Sequence, residues 1–140
     1  MTDSEPTKFN FLSDAFNVAQ LLWVDLKRYN GLAMGCAESK DALTIGWQCY
    51  DSEFHPTPPT LNQTFERIIV DGYLERIKGL DEKQDWLKMA RFFTNIGGQI
   101  LIKAEPKSTT KSADLMQMLE AAGYTQCKTF SEGLVYAYNV

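Results

Sequence analysis

The chain has one histidine, His55, in 140 residues. That excludes metal centres built on several histidines, and it leaves a Ser-His-Asp relay a single position for its base. Cysteine is almost as scarce. Cys36, Cys49 and Cys127 form an odd set without metal-ligand spacing, so buried reduced thiols are expected and no metal. No apolar run approaches the roughly 18 residues that a membrane span requires. The first ten residues contain no basic segment leading into an apolar one, so they do not read as a signal peptide, and a cytoplasmic location is expected. An excess of positive charge is also missing. The formal net charge is −4, whereas nucleic-acid binding usually needs a basic surface, so nucleic acid is not an expected partner. The one local basic group, Lys103, Lys107 and Lys111, reads as a solvated loop and helix start.

What is present suffices for one core. Hydrophobic residues make up 44% of the chain, and its length is that of a single domain. Residues 1–11 are expected to be a flexible N-terminus and 12–140 one domain. The organising feature is the stretch Phe65 to Pro106. Ile68, Ile69 and Val70 form an apolar run that ends on Asp71. A helical pattern starts near Asp81 and carries Trp86, Leu87, Met89, Ala90, Phe92 and Phe93. Gly97-Gly98 then reads as a turn opening a second run, Ile100 to Ile102. Strand, helix, turn, strand is a βαβ unit, and it needs a parallel sheet covered on both faces.

The rest of the chain fits around this unit. Ser13 is placed to cap a helix over 14–29, and Gly31 to end it. A short strand at Leu32–Met34, a turn at Gly35, a short helix from Glu38 to Leu43 and a strand from Gly46 to Asp51 follow. Pro56, Pro58 and Pro59 make residues 52–64 a loop. Ser112 is placed to cap a helix over 113–122. Thr125–Phe130, the turn Ser131-Glu132-Gly133 and Leu134–Tyr138 form a hairpin. Alternating elements of this kind make the fold α/β.

The order of these motifs resembles a class I S-adenosylmethionine-dependent methyltransferase. Ala90 to Ile102, with Arg91 and Gly97-Gly98, looks like that family's R-x-L-x-x-G-G-x-L-x-I passage. Leu119-Glu120-Ala121-Ala122-Gly123-Tyr124 looks like its L-L-x-x-A-G-F helix end, and Phe65 to Ile77, with Glu75 in place, resembles its F-D-x-I strand. The resemblance implies a Rossmann-like three-layer sandwich with a mostly parallel sheet that ends in an antiparallel C-terminal hairpin. Between Asp51 and Phe65 there is no room for the family's next helix and strand, so one edge strand should be lacking. In the stretch matching the family's glycine loop, Gly35 stands, while Ala37 and Ser39 occupy the other two glycine positions.

The resemblance implies an S-adenosylmethionine site at Gly35, Ala37, Asp51 and Asp71. Asp51 would accept from the ribose hydroxyls, and Asp71, at the end of the central strand, would face the ligand crevice. Three residues carry the catalytic expectation: Asp71 for substrate contact, Tyr73 as an aromatic wall or proton-transfer hydroxyl, and His55 as a general base in the proline loop. Each has a plainer reading: a turn residue, a half-buried tyrosine and a surface histidine. Two functions follow. One is methyl transfer to an unidentified acceptor. The other is a catalytically inactive protein of the same fold that binds a partner, or a second copy of itself, through the sheet edge near Trp47 and Tyr50, where Phe54 would add to an exposed aromatic patch. Trp47 and Tyr50 also read as core or edge packing.

Overall fold

The computed structural model describes residues 11–34, 39–50, 64–74, 77–104 and 110–140. In chain order these form α1 (Asp14–Leu22), β1 (Gly31–Met34), α2 (Ser39–Thr44), β2 (Gln48–Tyr50), β3 (Phe65–Asp71), α3 (Leu80–Phe93), β4 (Thr94–Lys103), α4 (Ser112–Ala122), β5 (Thr125–Ser131) and β6 (Leu134–Tyr138). Six strands make one sheet in the order β2-β1-β3-β4-β6-β5. β1 runs parallel to β2 and β3, and β3 parallel to β4, while β6 is antiparallel to both β4 and β5. This is the expected α/β sandwich with its C-terminal hairpin, and β2 is the edge of the described sheet. Among the described residues, no helix is long and apolar enough to cross a membrane.

The apolar runs are solid because both faces are covered. Side chains alternate across a strand. Leu32, Met34, Ile68, Val70, Ile100, Ile102, Val135 and Ala137 therefore enter one core with residues of α3 and α4. Ala33, Ile69, Leu101 and Leu134 enter the other with residues of α1 and α2. Ile68, Ile69, Ile100 and Leu101 have no exposed surface, and each such side chain contributes on the order of 2 kcal/mol.

Three local expectations are corrected. The helix expected over 14–29 ends at Leu22. Asp25 takes a left-handed conformation, φ 67°, and a 3-10 turn follows at Leu26–Arg28. The break lets Trp23 and Leu26 both enter the core, and it brings Trp23 and Tyr29 against the Arg67 guanidinium, 5.4 and 4.0 Å from their ring centres. Gly97-Gly98 is not a turn before a strand. β4 begins directly at Thr94, and the pair lies in an irregularity where Phe65 pairs with Thr94 but Arg67 with Gln99. Gly97 has φ 85°, which glycine adopts at little cost. A Cβ on Gly98 would come within 2.9 Å of Asn95 O and 3.0 Å of Glu66 O. Finally, Lys111 takes the N-cap position and Ser112 is the first residue of α4. The Ser112 hydroxyl turns instead to the hairpin, donating to Ser131 O and accepting from Gly133 N at 3.3 and 2.8 Å.

Candidate functional site

In an open α/β sheet a crevice forms outside the carboxyl ends of the strands where strand order reverses. Here the reversal falls at β1, which has β2 on one side and β3 on the other. The register sets what meets there. Met34, the last residue of β1, is the Cα partner of Tyr50 in β2 and of Val70 in β3, and Asp71 is the partner of Lys103 in β4. Strands β1, β2 and β3 therefore end along one edge of the sheet. Gly35 follows Met34 directly, Ala37 comes two residues after Gly35, and Asp51 follows Tyr50. These three lie outside the described residues, as do His55, Phe54, Cys36, Glu75 and Arg76.

Asp71 is described, and it is half-buried. The Ser13 hydroxyl donates to its Oδ2 and accepts from Ala15 N at 3.1 Å. Ser13 thus caps α1 as expected and also ties it to the end of β3. A second carboxylate completes the tie. Asp41, in the first turn of α2 and 4% exposed, accepts from Leu12 N at 3.0 Å and Ser13 N at 2.9 Å. Lys103 Nζ stands 3.8 Å from Asp14 Oδ2. With Asp14 mostly exposed, that pair is worth little in stability, but it sets the start of α1 across the ends of β3 and β4. Neither Asp41 nor the second role of Ser13 has a local signal in the sequence, because their partners lie 28, 29 and 58 residues away.

Other expected site residues fall elsewhere. Tyr73 is fully buried rather than half-buried. Its ring sits 4.7 Å from that of Trp86 in the core shared with α3 and α4, and a side chain without exposed surface offers its hydroxyl to no ligand in this conformation. Trp47 is core, as its packing reading has it: 4% exposed, 5.8 Å from the Phe16 ring, with Nε1 donating to Leu26 O at 3.0 Å. Cys49 and Cys127 are half-buried cysteines. Burial, and then the Glu120 charge, push the Cys127 thiol up from its ordinary value, so it stays protonated and unreactive at neutral pH. Among the described residues, no group of three or more His, Cys, Asp or Glu side chains could hold a metal.

Beside the start of α1 lies a cleft of about 550 Å3, lined by Asp14, Asn17, Leu21, Lys103, Glu132 and Leu134 among others. Glu132, in the hairpin turn, shapes its far wall. Its carboxylate accepts from Ser112 N at 2.7 Å, and this backbone bond, more than its other bonds to Ser112 and Gly133 and the nearby Lys111, holds its pKa below the ordinary value. A depressed carboxylate adds stability above its unfolded pKa, and that stability is lost as pH falls through the folded pKa. Between pH 7 and about pH 3, the urea midpoint of Glu132→Gln is expected to fall less than that of the unmodified chain. Equal falls would remove Glu132 from the acid response.

No protein-family model matches the sequence, and no curated protein matches it. Solved structures do match in shape. KedS8, a sugar N-methyltransferase from Streptoalloteichus sp, superposes with a TM-score of 0.62 at 9% identity over 99% of this chain and 98% of its own. CalS10, an amino pentose methyltransferase from Micromonospora echinaspora solved with S-adenosylmethionine bound, gives 0.59 at 10% identity over 91% and 90%. PigF, solved with S-adenosylhomocysteine, gives 0.55 at 10% identity, and the chain spans only 55% of its length. Identities this low speak to fold alone. The strand order, the reversal at β1, the C-terminal hairpin and these superpositions together show that the chain has the fold of the class I S-adenosylmethionine-dependent methyltransferases.

Proposed function

We propose that the chain is a divergent methyltransferase-like protein that binds S-adenosylmethionine at the carboxyl edge of the sheet and transfers its methyl group to an acceptor. The observation that carries this reading is the register of β1, β2 and β3. It ends three strands together, so the chain enters the segments holding Gly35, Ala37 and Asp51 from the edge where Asp71 stands. The chemistry of these residue types suits the cofactor: a glycine permits close backbone approach, and a carboxylate accepts from paired ribose hydroxyls. When bound, S-adenosylmethionine supplies a methyl group already activated on sulfonium, so the protein has mainly to align an acceptor and exclude water. Asp71 is the residue proposed to orient the acceptor. The Ser13 hydroxyl occupies its Oδ2 and fixes the carboxylate, and its Oδ1 makes no protein hydrogen bond among the described residues. His55 is the proposed general base.

Replacing Asp51 by alanine is expected to weaken S-adenosylhomocysteine binding by roughly a hundredfold, the loss of charge-assisted bonds to two hydroxyls. Calorimetric titration of both forms checks this, and equal affinity would take Asp51 out of the site.

A second reading is favoured by one feature. β2 is the edge strand of the described sheet and only three residues long, and a bare edge offers unpaired backbone groups to another chain. In this reading the fold serves as a structural or regulatory partner without catalysis. Because Trp47 is in the core, the pairing would rest on the β2 backbone and the exposed Gln48. Self-association in sedimentation, or a captured partner, without S-adenosylhomocysteine binding would favour it.

A further inference from the structure

We propose that the opposite, amino end of the sheet carries a second binding site, built on Arg91, for a small carboxylate with an apolar body. A cleft of about 520 Å3 opens there between the end of α3, the start of β4 and the end of β6. Most backbone acceptors around it are already engaged. Ala90 O accepts from Thr94 Oγ1 at 3.0 Å, Arg91 O from Thr94 N, and Thr94 O from Asn139 Nδ2 at 2.8 Å. Gly98 O accepts from Asn139 N at 2.9 Å, and Asn139 O from Gly97 N at 2.6 Å. The Asn95 side-chain oxygen accepts from Thr64 Oγ1.

The donors are not matched in the same way. The Arg91 side chain makes no hydrogen bond or ion pair among the described residues, and its Nε is buried without a partner. The guanidinium is held by shape instead. It lies over Gly123, where a Cβ would stand 2.8 to 2.9 Å from Arg91 Nε, Cδ and Cζ. The neighbouring Tyr124 provides no counter-charge, since burial pushes its phenol far above the ordinary value. Among the described residues this buried-edge guanidinium has no carboxylate, and an unpaired buried donor is costly. Two large apolar side chains complete the cleft: Phe92 is 73% and Ile96 92% exposed. Unused guanidinium donors call for a carboxylate, which pairs with Arg along two parallel bonds. The apolar rim calls for a hydrocarbon or aromatic body on it.

Arg91 also sits in the last turn of α3, where positive charge offsets the helix dipole. That role needs the charge alone and is kept by lysine, whereas paired recognition of a carboxylate is not. The test uses the isotopically labelled full chain and two probes of nearly equal shape, phenylacetate and its neutral amide, phenylacetamide. Phenylacetate is expected to shift the amide signals of Gly97, Gly98 and Asn139 saturably below about 10 mM, with phenylacetamide weaker by roughly tenfold. Arg91→Lys should lose roughly tenfold in phenylacetate affinity with an unchanged melting temperature. Ile96→Ser, at a solvent-facing position, should lose affinity severalfold. Should Arg91→Lys fold poorly, Asn95→Asp takes its place, and its added carboxylate is expected to abolish binding. Absence of saturable shifts, equal affinity for the two probes, or phenylacetate binding untouched by these substitutions would each overturn the proposal.

Discussion

Replacing Gly31 by alanine is expected to destabilise the chain by about 3 kcal/mol, the sum of overpacking and a lost buried hydrogen bond. Gly31 opens β1, and a Cβ there would lie inside the indole of Trp47, against Cδ2, Cε2 and Cε3. Neither partner can give way easily. Gly31 is paired with Arg67 across β3, and Trp47 is buried between Phe16 and the Leu26 carbonyl that its Nε1 bonds. Moving the ring would break that bond and open the core shared with α1. A denaturant titration of Gly31→Ala checks the size of the loss. The cause is checked in a Trp47→Leu background, where the same alanine should cost less than about 1 kcal/mol because neighbours in contact are not additive. Equal losses in both backgrounds would mean that the ring is not the obstacle.

The second large effect is expected at Asp41. Alanine there leaves the Leu12 and Ser13 amides without their acceptor, the first part-buried and the second buried. Unsatisfied buried donors cost about 1–3 kcal/mol each, so Asp41→Ala should lose about 3 kcal/mol, or roughly 10 °C in melting temperature for a chain of this length. Asn keeps one acceptor oxygen and should recover about half of the loss. The same amides position Ser13, whose hydroxyl holds Asp71. Asp41→Asn should therefore loosen the start of α1, seen as faster hydrogen exchange at Leu12 and Ser13, while the exchange of β4 stays slow. A melting temperature within a degree or two of the unmodified chain for Asp41→Ala would show that water replaces the carboxylate.

These two positions mark the limit of what the sequence discloses. The sheet was legible because its information is local. Ile68 to Val70 and Ile100 to Ile102 are unbroken apolar runs, and a run covered on both faces needs no long-range knowledge to be read as a buried parallel strand. The C-terminal hairpin was legible for the same reason, since Gly133 marks the turn and Leu134 to Tyr138 has strand composition. The break in α1 was not. Nothing in Trp23-Val24-Asp25 announces a left-handed residue. The turn exists so that Trp23 and Leu26 can both be buried and Trp23 can bond Gln99, 76 residues on. A glycine pair signals a turn locally, whereas here Gly97 is required by its positive φ and Gly98 by the nearness of Glu66 O and Asn95 O on neighbouring backbone.

The site divides along the same line. Asp71 was read from its place at the end of an apolar run, and the structure puts it on the carboxyl edge. Tyr73, two residues on, turned out to be core, because Gly72 in a left-handed conformation redirects the chain and places the ring on Trp86. The network of Asp41, Ser13 and Asp71 has no local signal, since it joins three elements through bonds spanning 28 to 58 residues.

Thermal unfolding of the full chain in increasing S-adenosylhomocysteine tests the central claim most directly. A ligand that binds only the native state stabilises it by about 2.7 kcal/mol at a hundred times its Kd. The melting temperature should therefore climb with the logarithm of ligand concentration, by several degrees at millimolar ligand, and the climb should be lost in Asp51→Ala. A melting temperature that stays flat up to millimolar S-adenosylhomocysteine would contradict a cofactor site at the carboxyl edge of β1, β2 and β3.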